Sequence, residues 1–320
     1  MTQYLWIYLK GMAMGAADIV PGVSGGTVAF ITGIYERLID SIGSLGPKTL
    51  TTFFKQGPIA AWRSVDGNFL LALMLGILTS VFTLSKMLSH LLKTHPEMLW
   101  SFFFGLILIS ALYIGRQIPH WRSGTLLGLV CGAGVAFLIT TLSPQQIPMH
   151  PVTLFIAGSI AICAMVLPGI SGSFILLLLG MYAHVIGAVK SLELVNLGIF
   201  AAGCLCGLLS FTRLLSWLLH RQHNLTMAVL TGFMLGSLNK VWPWKQTLST
   251  RVNSHGEVVP VEQLNVLPQR YLELTGQDPQ LMFSVLLMVF AVVLVLALER
   301  LGSKKQNSER PGDSSSLNNL

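Results

Sequence analysis

The chain has 320 residues, of which 52% are hydrophobic and only 10% are charged, and its mean hydropathy is +0.67. Soluble domains carry about 25% charged residues, so this composition excludes an ordinary soluble protein and predicts a polytopic membrane protein. The formal net charge of +7 then indicates basic loops beside anionic lipid headgroups, not a nucleic-acid partner.

The first apolar region, residues 4–40, is interrupted by Pro21-Gly22 in the stretch "PGVSGGTVAFITGIYERLI". Pro21 has no backbone N–H and disfavours helical backbone in the residue before it, while the glycines that follow permit a tight turn. Ser24 is a favourable N-cap for a helix that begins near Gly25. We therefore predict a broken, re-entrant hairpin here. The alternative is a Gly/Pro kink in an ordinary membrane-spanning helix.

Three uninterrupted apolar segments follow the more polar stretch 43–68. They cover residues 69–92, 98–115 and 123–141. Because a bilayer-spanning helix needs about 20 mostly apolar residues, each segment predicts one transmembrane helix.

A second broken region, residues 152–190, contains Pro168-Gly169 in "PGISGSFILLLLGMYAHVI" and repeats the first region at an offset of 147 residues. Downstream, "GILTSVFTLSKMLSHLLK" (76–93) matches "GCLCGLLSFTRLLSWLLH" (203–220) at an offset of 127 residues. The two matches predict an internal duplication. The positions that are identical in the two broken regions are Pro21/Pro168, Gly22/Gly169, Ser24/Ser171, Gly25/Gly172, Gly33/Gly180, Tyr35/Tyr182 and Ile39/Ile186.

The second half continues with three more apolar segments, 195–219, 225–242 and 281–300. A polar segment, 243–280, separates the last two and is long enough to hold a small extramembrane helix or hairpin. The C-terminal residues 301–320 are polar and poor in apolar side chains, so we expect them to form a disordered tail.

These elements predict two repeats of opposite orientation in the membrane. With boundaries at 1–142 and 143–300, each half holds one re-entrant hairpin and about three transmembrane helices, and an odd number of crossings inverts the second half. Lys and Arg are concentrated in the loops that this topology places in the cytoplasm, as the positive-inside rule requires. The predicted fold class is therefore an all-α membrane protein with inverted repeats and cytoplasmic termini.

The helix that follows each break predicts an anion site. Its first amides point out of the helix end, where the positive end of the helix dipole adds to them. The repetition of the pattern favours a binding element over a simple kink. The predicted binding residues are Ser24, Gly25, Gly26 and Thr27 in the first tip (residues 24–27) and Ser171, Gly172 and Ser173 in the second tip (residues 171–174).

Two cations occupy equivalent positions of the repeat, Lys86 in the first half and Arg213 in the second. Either side chain alone is explained by snorkelling to the membrane interface. A cation retained at the same place in both halves favours contact with an anionic substrate instead, so we add both residues to the predicted substrate site.

Charged residues of the first hairpin are candidates for coupling or gating. Asp18 lies just before the break, where a carboxylate near the bilayer midplane would bind a proton or Na⁺. Glu36 and Arg37 close the hairpin, and the alternative is that they pair with each other in the headgroup layer. Met165, Ala183 and His184 occupy these three positions in the second half, so the charges are not part of the duplicated plan.

The sequence contains no motif for catalysis. It has no HExxH, no GxSxG, and no Gly-Lys-Ser/Thr after the glycine-rich stretch, so neither metal-assisted hydrolysis nor nucleotide hydrolysis is indicated. The four cysteines, Cys131, Cys163, Cys204 and Cys206, lie in apolar segments without metal-ligand spacing. We expect no catalytic residue, no metal and no cofactor.

The stretches "GAADIVPGVSGGTVAFITGIYERLI" and "LPGISGSFILLLLGMY" resemble the bacterial polyprenyl-phosphate transporter family, over about residues 1–300. The resemblance implies a protein of the bacterial plasma membrane that returns undecaprenyl phosphate, the lipid carrier of cell-envelope sugars, from the outer to the cytoplasmic leaflet. Its partners would be this lipid, the surrounding membrane lipids and a coupling proton or Na⁺.

Two other functions remain open from the residues alone. The same inverted repeats would also suit an ion-coupled carrier of a small soluble anion, with a cavity closed to lipid. A membrane enzyme acting on polyprenyl phosphates is the third class, and the missing catalytic motifs argue against it.

Overall fold

The computed structural model describes residues 2–20, 22–145, 147–252 and 258–308. Eight helices form the first half of this part of the chain: α1 (Thr2–Ile19), α2 (Gly25–Ile31), α3 (Tyr35–Gly43), α4 (Pro47–Gln56), α5 (Pro58–Ser64), α6 (Gly67–Thr94), α7 (Pro96–Gln117) and α8 (Ser123–Thr141).

The second half begins with α9 (Pro151–Val166), the helix at the repeat position of α1. The other elements of this half are α10 (Gly172–Leu178), α11 (Tyr182–Lys190), α12 (Leu194–Arg221), α13 (His223–Ser237), the strands β1 (Lys245–Val252) and β2 (Val258–Asn265), α14 (Pro268–Thr275) and α15 (Leu281–Ser308).

Four helices of the described chain, α6, α7, α8 and α12, are long and apolar enough to cross a membrane. They confirm the predicted segments 69–92, 98–115, 123–141 and 195–219, and they make the chain a multi-pass membrane protein.

The predicted span 225–242 is wrong, because α13 ends at Ser237 after only 15 residues. Pro243 follows closely and disfavours helical backbone in the residue before it, and the polar residues Asn239 and Lys240 precede it. The predicted span 281–300 lies within α15, whose described apolar part is Leu281–Ala297.

Both broken regions break where the sequence predicts. Gly22 (φ +86°) and Gly169 (φ +94°) lie in the breaks before α2 and α10, and Gly33 and Gly180 (both φ +69°) end those short helices. Glycine adopts these positive φ values without the strain that a Cβ would cause. In the second half, the axes of α10 and α11 differ by 109°, which is the geometry of a broken span or of a re-entrant hairpin.

The duplication is visible in the backbone contacts of the first helix in each half. A Cβ on Gly76 of α6 would lie 2.1 Å from the carbonyl oxygen of Tyr8 in α1. The equivalent Gly203 of α12 stands in the same relation, at 2.1 Å, to the oxygen of Phe155 in α9. Small residues allow membrane helices to approach this closely. The two halves thus share their packing, and their opposite orientation in the membrane stays a prediction.

The two halves interlock through their later helices. Gly105 of α7 packs on the backbone of Met288 in α15, and the equivalent Gly232 of α13 packs on Leu129 in α8. Each half therefore completes the helix packing of the other. The domain boundaries at 142 and 143 stay a prediction, as does the position of either half in a bilayer.

The segment 243–280 forms both a helix, α14, and an antiparallel hairpin of β1 and β2, so the predicted all-α class needs this one sheet added. The Trp244 Nε1–H donates to the carbonyl oxygen of Pro279 at 2.9 Å, and the Tyr271 hydroxyl donates to Glu97. The first bond joins the two ends of the segment, and the second holds the segment against the start of α7. The helix α15 continues to Ser308, into the predicted disordered tail, and residues 309–320 lie outside the described residues.

Candidate functional site

The two broken hairpins meet at their breaks. The Ser24 hydroxyl, fully buried, donates to the carbonyl oxygen of Met165 at 2.8 Å. The Thr27 hydroxyl accepts a hydrogen bond from the backbone N–H of Gly169 at 2.8 Å. The Tyr35 hydroxyl donates to the carbonyl oxygen of Val166 at 3.1 Å. Backbone groups freed by the second break are therefore satisfied by side chains of the first hairpin, as buried polar groups require.

The amides of the first tip already have partners. The Gly25 N–H donates to Asp18 Oδ1 at 2.6 Å, and the Gly26 N–H donates to Ser24 Oγ at 3.1 Å. The Thr27 N–H donates to the Ser24 carbonyl oxygen at 2.9 Å. The Asp18 carboxylate thus takes the position at the helix end that the sequence assigns to an anion, where the helix dipole favours negative charge.

Glycine at two positions of the first tip makes this arrangement possible. A Cβ on Gly25 would lie 2.5 Å from Asp18 Oδ2, and a Cβ on Gly26 would lie 2.7 Å from the carbonyl oxygen of Val166. Both distances are too short for real Cβ atoms. Any side chain at these positions would push apart Asp18 and the first tip, or the two hairpins.

The second tip is built differently. Ser171 forms no side-chain cap to α10, and its hydroxyl shares a hydrogen bond with the Ser173 hydroxyl at 2.8 Å. Met165 occupies the position equivalent to Asp18 and packs near Gly172. The second tip therefore has hydroxyl groups but no carboxylate beside its first amides.

The structure does not bring the predicted cations to the tips. The Arg213 Nε–H donates to the carbonyl oxygen of Gly43 at 3.3 Å, and its Nη2 donates to Leu45. Arg213 thereby binds the C-terminal end of α3, where the helix dipole favours a cation. Lys86 is exposed on α6, in a shallow groove that Ser89, His90 and Lys93 also line.

Glu36 and Arg37 do not pair with each other. Glu36 Oε1 lies 2.9 Å from Nε2 of His223, and Arg37 Nε lies 2.6 Å from Asp66 Oδ2. The Arg37 guanidinium also lies 4.3 Å from the centroid of the Phe69 ring. These contacts tie α3 to the starts of α13 and α6. The alternative of a Glu36–Arg37 pair is wrong, and a gating role stays a prediction.

Sequence reasoning missed two lysines that contact the hairpins. Lys10 Nζ donates to the carbonyl oxygen of Thr32 at the end of α2, at 2.6 Å. Lys240 Nζ lies 4.4 Å from the centroid of the Phe174 ring in the second tip. Both lysines fall inside segments that the sequence marks as apolar, 4–40 and 225–242, so the rule that intramembrane cations are functional candidates would have found them.

Comparison with known proteins gives a consistent set of relatives. Residues 14–259, which include both hairpins, match a family model described as undecaprenyl phosphate translocase-like. A polyprenyl-phosphate transporter of Vibrio cholerae is 54% identical over 302 residues, covering 94% of this chain and 98% of that protein. A polyprenyl-phosphate transporter of Staphylococcus aureus is 35% identical over 265 residues, covering 76% of this chain and 88% of that protein. No solved structure matches the chain.

Proposed function

The chain belongs to the undecaprenyl phosphate translocase-like family, and we propose that it returns undecaprenyl phosphate from the outer to the cytoplasmic leaflet of a bacterial plasma membrane. The observation that carries this proposal is the junction of the two breaks, where polar backbone and hydroxyl groups are gathered among apolar helices. The relatives that are named polyprenyl-phosphate transporters support the same substrate class.

The chemistry of the substrate explains why such a junction is needed. A phosphate monoester carries roughly −1.5 to −2 charges near neutral pH, and taking that charge through hydrocarbon unaided is prohibitive. The polyprenyl tail is apolar and can stay in the lipid. The protein therefore needs only a narrow polar path for the headgroup, which the hydroxyls of Ser24, Thr27, Ser171 and Ser173 would line.

In this mechanism the phosphate replaces Asp18 at the first tip. The carboxylate now accepts the Gly25 N–H at 2.6 Å, and a phosphate oxygen would accept the same donor. Two anions cannot share one amide, so phosphate binding requires Asp18 to move or to take up a proton or Na⁺. This exchange would couple an ion to the lipid.

An asymmetry between the equivalent grooves of the two halves supports alternating access. Around Arg213, the end of α3 packs on α12, and Ser216 Oγ donates to Asp40 Oδ1 at 2.6 Å. The equivalent helices α11 and α6 form no such packed interface. The groove at Lys86 is lined by α6 residues alone, whereas the groove at Arg213 is lined by residues at the end of α3 and on α12, so the two halves are joined at only one of the two grooves.

The predicted orientation gives this asymmetry a direction. It places Arg213 near the cytoplasmic end of α12 and Lys86 near the outer end of α6. In that orientation α3 and α12 would join the two halves on the cytoplasmic side, and the equivalent helices α11 and α6 would be unjoined on the outer side, where the lipid carrier is collected. Lys86 and Arg213 would bind the phosphate on entry and on exit, respectively.

The test is a translocation assay in liposomes with purified protein and a labelled polyprenyl phosphate. We expect movement between leaflets well above that in protein-free liposomes, slower movement with Arg213→Ala, and none of the neutral polyprenol above background. Failure to move the phosphate lipid would overturn the proposal. Uptake of a labelled soluble anion without lipid movement would favour the soluble-anion carrier, and release of inorganic phosphate would indicate an enzyme.

A further inference from the structure

Lys240 contacts both broken hairpins although it belongs to neither. It lies in the turn after α13, partly buried, and its ammonium nitrogen is 4.4 Å from the centroid of the Phe174 ring in the second tip. Its aliphatic chain packs on the first break, so closely that a Cβ on Gly22 would lie 2.9 Å from Lys240 Cγ. A single cation therefore spans the distance between the two breaks.

Lys240 has no anionic partner in the described part of the chain, because no carboxylate there lies within 4.0 Å of its ammonium group. The acids of the neighbouring helices are engaged elsewhere: Asp18 with Gly25, Glu36 with His223, Asp40 with Ser216, Asp66 with Arg37 and Glu97 with Tyr271. An aromatic face compensates only part of the cost of removing a cation from water.

A second cation lies next to Lys240 and increases this excess of positive charge. Lys245 Nζ donates to the carbonyl oxygen of Lys240 at 2.5 Å and lies 4.2 Å from the centroid of the Trp100 ring. Two neighbouring ammonium groups repel each other, most strongly where water is excluded. An anion bound at this place would offset that repulsion.

The two breaks differ in which half of the chain packs against their glycine. At the second break, a Cβ on Gly169 would meet the Ser237 side chain and the Phe233 carbonyl oxygen, which belong to the same half of the chain. At the first break, the equivalent Gly22 meets Lys240 of the other half. The repeat position of Lys240 in the first half is Tyr113, so the cation is unique to this junction.

We propose that Lys240 supplies the positive charge that binds the phosphate monoester of the substrate at the junction of the two breaks. This inference rests on the proposed function. Asp18 and Lys240, neither of which has a charged residue at its repeat position, then act on the same headgroup. The phosphate would bind the Lys240 ammonium group and would replace Asp18 as the acceptor of the Gly25 N–H. Lys245 stabilises the turn that contains Lys240, through its hydrogen bond to the Lys240 carbonyl oxygen.

The experiment measures binding of polyprenyl phosphate to purified protein by native mass spectrometry, with wild type, Lys240→Met, Lys240→Arg and the exposed control Lys55→Met. We expect Lys240→Met to weaken binding by tenfold or more and to slow liposome translocation, Lys240→Arg to restore most of both, and Lys55→Met to match wild type. Neutral polyprenol should bind all four proteins alike, because only the headgroup interaction changes.

The binding measurement is repeated with other phosphate compounds, to identify which kind of phosphate group Lys240 binds. Inorganic phosphate and phosphatidylglycerol vesicles are tested beside polyprenyl phosphate, and a Lys240-dependent affinity for the phosphodiester lipid alone would overturn the inference. If a Lys240 variant does not fold, the rate of chemical acetylation of Lys240 is measured in the wild-type protein instead. Polyprenyl phosphate should slow the acetylation of Lys240 and leave that of Lys55 unchanged. Equal labelling would overturn the inference. A wild type that neither binds nor moves the lipid would instead refute the proposed function.

Discussion

At the scale of single residues, Asp18 explains most about how the first tip differs from the second. A carboxylate seven residues before Gly25 completes the first turn of α2 by accepting its first N–H. The helix end therefore holds an internal anion, and a substrate anion must compete with it. Met165 at the equivalent position offers no charge, so the competition exists in one half only.

This competition predicts the effect of Asp18→Asn. The amide oxygen of asparagine can still accept from Gly25, but the negative charge is gone and the hydrogen bond is weaker. A hydrogen bond to a charged group contributes about 1.5–3 kcal/mol, so we expect polyprenyl phosphate to bind roughly tenfold more tightly to Asp18→Asn. Transport by the variant should also lose its dependence on pH or Na⁺.

Both parts of this prediction are measurable on the same preparation. Affinity is determined by native mass spectrometry, and translocation is followed in liposomes over a series of pH and Na⁺ values. Asp278→Asn serves as a matched control, because Asp278 is exposed and accepts the backbone N–H of Gln280 in the segment before α15. An affinity that stays at the wild-type value, or an ion dependence that persists, would contradict the competition between Asp18 and the phosphate.

At the scale of the elements, the breaks could be predicted from sequence and their partners could not. Pro-Gly pairs act locally before both α2 and α10, and the Ser24 side chain caps α2, so the starts of these helices follow from nearby residues. The hydrogen bonds of Ser24 to Met165 and of Thr27 to Gly169 join residues 141 and 142 positions apart. Only the packing of the two halves creates them.

The difference between local signals and long-range contacts also explains the error at the end of α13. Hydropathy counts Leu238 and Val241 as membrane residues, but the helix ends at Ser237 because Asn239, Lys240 and Pro243 form a turn instead. In that turn Asn239 bonds to Thr140 and Asn265. An average over apolar residues does not register such bonds, so the buried position of Lys240 could not be inferred from hydropathy.

The close contact between the hairpins predicts the effect of Gly26→Ala. The added methyl group would lie 2.7 Å from the Val166 carbonyl oxygen and 3.0 Å from that of Met165, and backbone at both positions cannot yield easily. Overpacking of this kind costs about 1–3 kcal/mol. We expect a lower melting temperature in detergent and a large loss of translocation, because the tips are forced apart.

Gly134→Ala is the matched control for this substitution. Gly134 lies in α8, and beyond the adjacent backbone of that helix no described atom lies within 4 Å of the position that its Cβ would occupy. Alanine is favoured over glycine in a helix by up to about 1 kcal/mol, so this variant should be as stable as wild type or more so, with unchanged translocation. Equal behaviour of the two alanine variants would show that the tips do not need their close contact.

At the scale of the whole molecule, the duplication makes each contact in one half a reference for its equivalent in the other. Most contacts agree, such as Gly76 on Tyr8 and Gly203 on Phe155. The clear exception is the pairing of α3 with α12, which has no equivalent interface between α6 and α11. Under the proposed alternating access, this arrangement is one of two states, and the second would pack α6 on α11 and separate α3 from α12.

This asymmetry predicts which engineered disulfides form. The side chains of Asp40 and Ser216 are joined by a hydrogen bond of 2.6 Å, so cysteines at these positions should lie close enough for a disulfide. The equivalent pair by repeat position is Gly187 and Ser89. In a background without native cysteines, we expect Asp40→Cys/Ser216→Cys to oxidise readily and Gly187→Cys/Ser89→Cys to oxidise slowly.

If the two arrangements interconvert during transport, substrate should change the relative rates at which the two cysteine pairs oxidise. Polyprenyl phosphate would shift part of the population to the opposite state, slowing the first cross-link and accelerating the second. Each disulfide should stop translocation in liposomes, and reduction should restore it, because each one locks a state that the cycle must leave. Full transport by the oxidised Asp40→Cys/Ser216→Cys protein, or a Gly187→Cys/Ser89→Cys pair that never oxidises with substrate present, would contradict exchange between two symmetry-related states.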